Sequence, residues 1–197
     1  ASICHLLKME GVSIYEQSFP KKIAAIGGRI SVHTNQHVIT GTHLLIATGR
    51  IPSTTKLKLE NAGVATQNGL IKTNQHLRTD NKRIYAIGDV ATTKRHTNMA
   101  SAHASVAIQN ILLKVPTKIN PYIIPYTIYV EPELSHVGFY KHEAEQKFGK
   151  HNIICLSQSF ETNNRSATDG SLFGLVQLIT KKNGRLIGAT IFAPHAG

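Results

Sequence analysis

The chain has 197 residues, enough for one large domain or two small ones with a real core. Apolar residues make up 41% and charged residues 17%, and no apolar window approaches a membrane span, so composition points to a globular chain with no membrane partner. Lys plus Arg is 22 against 11 for Asp plus Glu, but the bases are scattered without interleaved aromatics, which disfavours a nucleic-acid partner and favours a basic solvated surface.

The first element is a short amphipathic helix over residues 3–10, carrying Ile3, Leu6, Leu7 and Met9, with Gly11 as its C-cap. Val12 to Tyr15 reads as a strand. Gly27-Gly28 separates two apolar-rich runs and predicts a tight hairpin, and a turn at Asn35-Gln36 leads into Val38-Ile39. His43 to Gly49 is an apolar run expected to be a buried strand, and Ile51-Pro52 forces an extended exit from it. Residues 53–82 are polar and loop-rich, with occasional apolar anchors.

Ile84 to Gly88 is again apolar or small and reads as a short buried strand ending in Gly88-Asp89. Gly88 permits close backbone approach, and Asp89 at the C-terminal end of a buried strand lies where open α/β sheets hold ligands. By itself the stretch supports an Asp that caps the next turn equally well. Residues 98–113 follow as the most helical segment, narrowed by Ala100, Ala102, Ala104 and Ala107.

Residues 115–121 form a linker. Beyond it, 123–130 is a strand whose Pro125 places it at a sheet edge or bulge. Lys141 to Phe148 is a helix closed by Gly149, with Tyr140 a weak cap. Ile153 to Ser157 is a strand, and 173–180 with 185–192 form a hairpin around Asn183-Gly184. The last third is therefore antiparallel α+β. Cys4 and Cys155 stand in no redox or zinc spacing and read as core thiols in a reducing, cytoplasmic setting. His33 and His37 flank a turn but lack a third metal ligand.

Several segments, taken in order, resemble the pyridine nucleotide-disulphide oxidoreductases. Leu44-Leu45-Ile46-Ala47-Thr48-Gly49-Arg50-Ile51-Pro52 is similar to the family's ATGR stretch. Thr79 with Ile84-Tyr85-Ala86 and Gly88-Asp89 is similar to its flavin motif. Pro125 to Gly138, Asn164-Arg165-Ser166 and Gly188 to Gly197 are similar to its dimerisation domain. Within the family the spacing looks most like mercuric reductase and lipoamide dehydrogenase.

The resemblance implies a fold of α/β plus α+β. The tail of an NAD(P)-binding domain would cover 1–50 and an FAD-contacting central segment 51–118. An antiparallel dimerisation domain, incomplete at its C-terminus, would cover 119–197. It implies FAD contacts from Gly88, Asp89, Arg95, His96, Thr97 and Asn98, and NAD(P)H approach at Gly49. It also implies a homodimer through 119–197 and electron flow from NAD(P)H through flavin to a disulfide, a small molecule or a metal ion of the Hg(II) type. Neither GxGxxG nucleotide motif nor a CxxxxC redox pair occurs in these residues, and His195 does not match the family's catalytic histidine. The expectation is thus an internal or C-terminal piece of a longer enzyme, inactive alone and holding no catalytic or metal residue. The alternative is a dimerisation or scaffold module descended from that family.

Overall fold

The computed structural model describes residues 2–170 and 173–197, which fall into two compact units divided between Arg50 and Ile51. In the first unit helix α1 spans Ser2–Met9. It ends as foreseen: Gly11 takes φ +88°, the Gly11 amide donates to the Lys8 carbonyl and the Val12 amide to that of Leu7. These two bonds satisfy carbonyls that the last turn leaves open. Strands β1 (Pro20–Ile26), β2 (Arg29–Thr34) and β3 (Val38–Gly41) form an antiparallel sheet in that order. Gly27 and Gly28 both have positive φ, as a two-residue hairpin requires if the turn is to match strand twist. The next turn is held by Thr34, whose hydroxyl oxygen accepts from the Gln36 and His37 amides.

Two expected strands of this unit do not form. Residues 12–15 and 43–49 have no ladder partner among the described residues. A strand gains its backbone hydrogen bonds only from a neighbour, so an apolar run without one stays irregular. Leu45 and Ile46 are accordingly 88% and 69% exposed.

The second unit opens with short 3-10 turns at Thr55–Leu57 and Leu59–Ala62 and a small ladder of β4 (Thr66–Gln67) with β5 (Leu70–Ile71). The stretch from Ile84 to Gly88 is extended rather than a regular strand. Its one pairing is an isolated bridge between Arg78 and Tyr85, and a 3-10 turn at Gly88–Val90 follows. The cause is the same lack of flanking strands. Its anchoring is local: Ala86 packs with Val64 and Ile71, and the buried Thr79 shares its hydroxyl between the Asn81 and Ile84 carbonyls.

Helix α2 (Thr97–Ile111) comes next, carrying Val106 and Ala107 against Leu77. The linker beyond it is pinned by Asn110, whose side-chain amide donates to the Thr117 carbonyl while its oxygen accepts from the Thr117 amide.

A five-stranded antiparallel sheet completes the unit in the order β6 (Tyr126–Ile128), β7 (Glu133–Gly138), β10 (Leu186–Ala193), β9 (Leu175–Lys181), β8 (Ile153–Ser159). β6 is an edge strand, in keeping with Pro125 at its entry. Helices α3 (Lys141–Phe148) and α4 (Asn164–Thr168) lie between these strands in sequence. Phe139, Ala144 and Ile179 make the buried centre of this α+β layer. α3 is better capped than its sequence suggested, because the Glu143 carboxylate accepts from the Tyr140 amide. The expected core thiols are only half-buried: Cys4 lies on α1 and Cys155 on β8. No described helix is long and apolar enough to cross a membrane.

Candidate functional site

The site is built from the Gly88–Val90 turn and the first half of α2. Gly88 is buried at φ +72°, and a Cβ on it would lie 3.3 Å from the Ala100 Cβ. Positive φ and the helix surface together reserve this position for glycine. The small residues of α2 that sequence singled out are what let the turn approach. The Gly88 amide donates to Nδ1 of His103, one turn of helix beyond Ala100, at 3.1 Å. Asp89, next in the turn, presents its side chain at the surface.

The remaining residues lead into the helix. Arg95 and His96 are half-buried, while Thr97 and Asn98 are exposed in the first turn of α2. The N-cap residue of α2, His96, makes no side-chain cap bond to the first amides, which form the positive end of the helix dipole. His96 stacks on Tyr126 with centroids 4.4 Å apart at 11°, and the Asn98 side-chain amide donates to the Pro125 carbonyl at 3.2 Å. Both therefore tie the helix start to the entrance of β6. Six of the seven expected cofactor residues thus belong to one turn-and-helix arrangement. Gly49 belongs to the first unit, exposed, with φ +124°.

Beside the start of α2 lies a cavity of about 200 Å³ lined by Lys94, His96, Met99, Tyr126, His136 and Tyr140, among others. Sequence reasoning did not single out Tyr126 or His136, and it read Tyr140 only as a weak helix cap. His136 is 4% exposed and stacks on Tyr140 with centroids 3.7 Å apart at 5°. Its Nε2 bonds the Gly138 carbonyl, which can only accept, so Nε2 carries the hydrogen; in the neutral ring Nδ1 then accepts from the Thr190 hydroxyl. Burial pushes its pKa below the ordinary value of 6.5, against smaller opposing effects of the Gly138 hydrogen bond and the Glu143 carboxylate; Lys94 lowers it slightly further. Tyr140 shares a hydroxyl–hydroxyl hydrogen bond with Tyr126, and burial followed by that bond raises its pKa strongly. A period-2 strand carrying Ser135, His136 and Val137 would have suggested an inward histidine, but not its tautomer.

A buried neutral histidine sets a pH direction. Above about pH 6.5 it has no proton to take up in either state. As pH falls below 6.5 the unfolded chain binds the proton first, so stability declines towards the lower folded pKa. His103 acts in the same sense, through burial alone. Thermal unfolding followed by circular dichroism is expected to show a falling midpoint below pH 6.5. His136→Phe should lower the midpoint at every pH, since it leaves Thr190 and the Gly138 carbonyl unpaired, yet flatten that slope. An unchanged slope would contradict this account.

Residues 2–109 match the family described as pyridine nucleotide-disulphide oxidoreductase, and residues 124–197 match the dimerisation domain of that family. The chain belongs to the pyridine nucleotide-disulphide oxidoreductases. Curated relatives include the mercuric reductase of Staphylococcus aureus, 31% identical over 85% of this chain and 31% of that protein. The dihydrolipoyl dehydrogenase of Bacillus subtilis is 33% identical over 84% of this chain and 35% of that protein. Among solved structures, the HOCl-induced flavoprotein disulfide reductase RclA of Escherichia coli aligns with a TM-score of 0.86. It is 24% identical, over 99% of this chain and 45% of that one, and confirms the fold. The chain spans about a third of the length of these two curated relatives.

Members of this oxidoreductase family use FAD and NAD(P)H. The chemistry here is compatible with such a group: a glycine whose Cβ would crowd Ala100, a surface carboxylate beside it, and the start of a helix close by. The antiparallel sheet of the last third is the dimerisation-domain fold expected from sequence. Among the described residues no three His, Cys, Asp or Glu side chains gather as a metal site.

Proposed function

We propose that this chain supplies flavin contacts and a dimer surface to an FAD-dependent oxidoreductase that takes electrons from NAD(P)H. The observation that carries this reading is the Gly88–Asp89 turn seated on the narrow face of α2, within a chain of this family. Bound FAD would supply two-electron transfer between the nicotinamide and an acceptor. Asp89 would accept hydrogen bonds from the ribityl hydroxyls, and Gly88 would let the ring system approach the backbone. Arg95, His96, Thr97 and Asn98 form the loop and helix start that would face the flavin. The positive end of α2 there favours an electron-rich ring edge. Gly49 would lie where NAD(P)H approaches.

The name of the mercuric reductase relative supports an Hg(II)-type metal ion as acceptor, and that of the dihydrolipoyl dehydrogenase relative, an enzyme that oxidises a dithiol, fits a dithiol–disulfide couple run towards the disulfide as the alternative acceptor. The proposed division is 1–50 as NAD(P)-domain tail, 51–118 as the FAD-contacting segment and 119–197 as the dimerisation domain, in a cytoplasmic homodimer. The sequence of residues 1–197 contains no CxxxxC pair to carry electrons onward, so this chain alone is expected to show no NAD(P)H oxidation. The protein isolated at its cellular length should carry a flavin absorption band, and Asp89→Ala should reduce its flavin content at least severalfold. A colourless protein, or NAD(P)H turnover by the 197-residue chain, would overturn the proposal.

A further inference from the structure

His103 is the only titratable residue on α2, and it is 4% exposed. Its Nδ1 lies 3.1 Å from the Gly88 amide nitrogen. An amide nitrogen can only donate, so Nδ1 must be bare, and a neutral ring then carries its hydrogen on Nε2. A protonated ring has hydrogens on both nitrogens and would point one at the Gly88 N–H. The hydrogen bond therefore exists in one protonation state and one tautomer. Gly88 itself is buried, in a left-handed conformation and wedged against Ala100, so its amide has no access to water as a substitute partner.

We propose that His103 is a positioning residue: as a neutral acceptor it fixes the Gly88–Val90 turn on α2, and through that turn the placement of Asp89. Protonation of His103 releases the turn. α2 carries no other charged side chain, and Asp89 is the only one on the turn packed against it, so no second base on these elements shares the task. Burial disfavours the imidazolium and lowers its pKa below 6.5, so the released form is populated only in acid. The consequence for cofactor retention rests on the flavin reading above. The hydrogen bond itself does not.

The test therefore reads the bond without flavin. In the uniformly 15N-labelled 197-residue chain at neutral pH, His103 should show a bare Nδ1 and a protonated Nε2, and should titrate below 6.5 together with the Gly88 amide shift. His103→Ala should speed hydrogen exchange at the Gly88 amide by about tenfold, the size expected for an abandoned buried donor. His103→Gln, whose side-chain oxygen can accept the same bond, should restore most of the protection and abolish the pH dependence. A hydrogen on Nδ1 at neutral pH would overturn the proposal, as would a Gly88 amide indifferent to His103→Ala and, in the wild type, to protonation of His103. Should His103→Ala fail to fold, the wild-type tautomer and the Gln variant still decide the matter. Failure of flavin binding with the bond intact would count against the flavin reading alone.

Discussion

Replacing Gly138 with Ala is expected to unfold the five-stranded sheet of the second unit, or to cost it about 3 kcal/mol or more. Gly138 stands opposite Gly188 in the β7–β10 ladder. Its φ is +90°, and a Cβ there would lie 2.6 Å from the Gly188 Cα and closer still to the Ile187 carbonyl. Those neighbours are backbone and cannot swing aside. Gly188 is equally confined, because its Cβ would run into the Phe139 carbonyl and lie 3.1 Å from the Phe139 carbonyl carbon. The register of β10 against β9 is irregular between Leu186 and Gly188, beside the point where Gly188 pairs with Gly138 of β7. Gly188→Ala should therefore fail as badly as Gly138→Ala. Gly184→Ala, which meets no atom within 4 Å but sits at φ +82°, should cost only the ordinary strain of a left-handed alanine, about 1 kcal/mol. Urea denaturation of the three variants tests the ranking; equal midpoints would refute the close-contact account.

Ile179→Ala is expected to cost about 2–5 kcal/mol. Ile179 is 1% exposed near the middle of β9, opposite Cys155 of β8 and Gly188 of β10. Its side chain belongs to the cluster with Phe139 and the fully buried Ala144 of α3, with Phe148, Ile153 and Ile187 around it. Removing three methyl-sized carbons leaves a cavity between the sheet and α3 that neither can fill without breaking its own hydrogen bonds. Ile179→Val should cost about 1 kcal/mol. Leu156→Ala, half-exposed on the edge strand β8, should stay within about 1 kcal/mol. A denaturant midpoint for Ile179→Ala close to that of Leu156→Ala would show that the sheet–helix layer is not the core.

Much of this was legible in the residue order. The Gly27-Gly28 hairpin, the helix closed by Gly149 and the last hairpin all follow from turn chemistry beside apolar runs, because those signals act within a few residues. The glycines of the matched dimerisation motif were visible as letters, and the close approach of the β7 and β10 backbones at Gly138 and Gly188 gives their physical reason. The runs at 43–49 and 84–88 were misjudged as regular strands for one shared reason. Hydrophobic patterning reports which residues prefer burial, whereas a ladder needs a neighbour that patterning cannot supply. At the candidate site, residues 88–89 came from the strand-end pattern and then from resemblance, and 95–98 from resemblance alone. His103 and His136 did not, since a histidine in an alanine-rich helix or an alternating strand gives no sign of what its ring nitrogens will meet.

Local chemistry in the sequence by itself determined the hairpin turns, the glycine ends of α1 and α3, the main helices and the antiparallel last third. It also determined that a glycine and a carboxylate sit together ahead of a narrow helix. Only the tertiary structure decided that Gly88 is wedged against Ala100, that its amide is held by a neutral His103, and that Gly138 and Gly188 meet. Those contacts join residues 12 to 50 positions apart. They depend on distances of a few tenths of an ångström and on which nitrogen of a ring bears a hydrogen, properties that packing sets and that residue order alone does not encode locally.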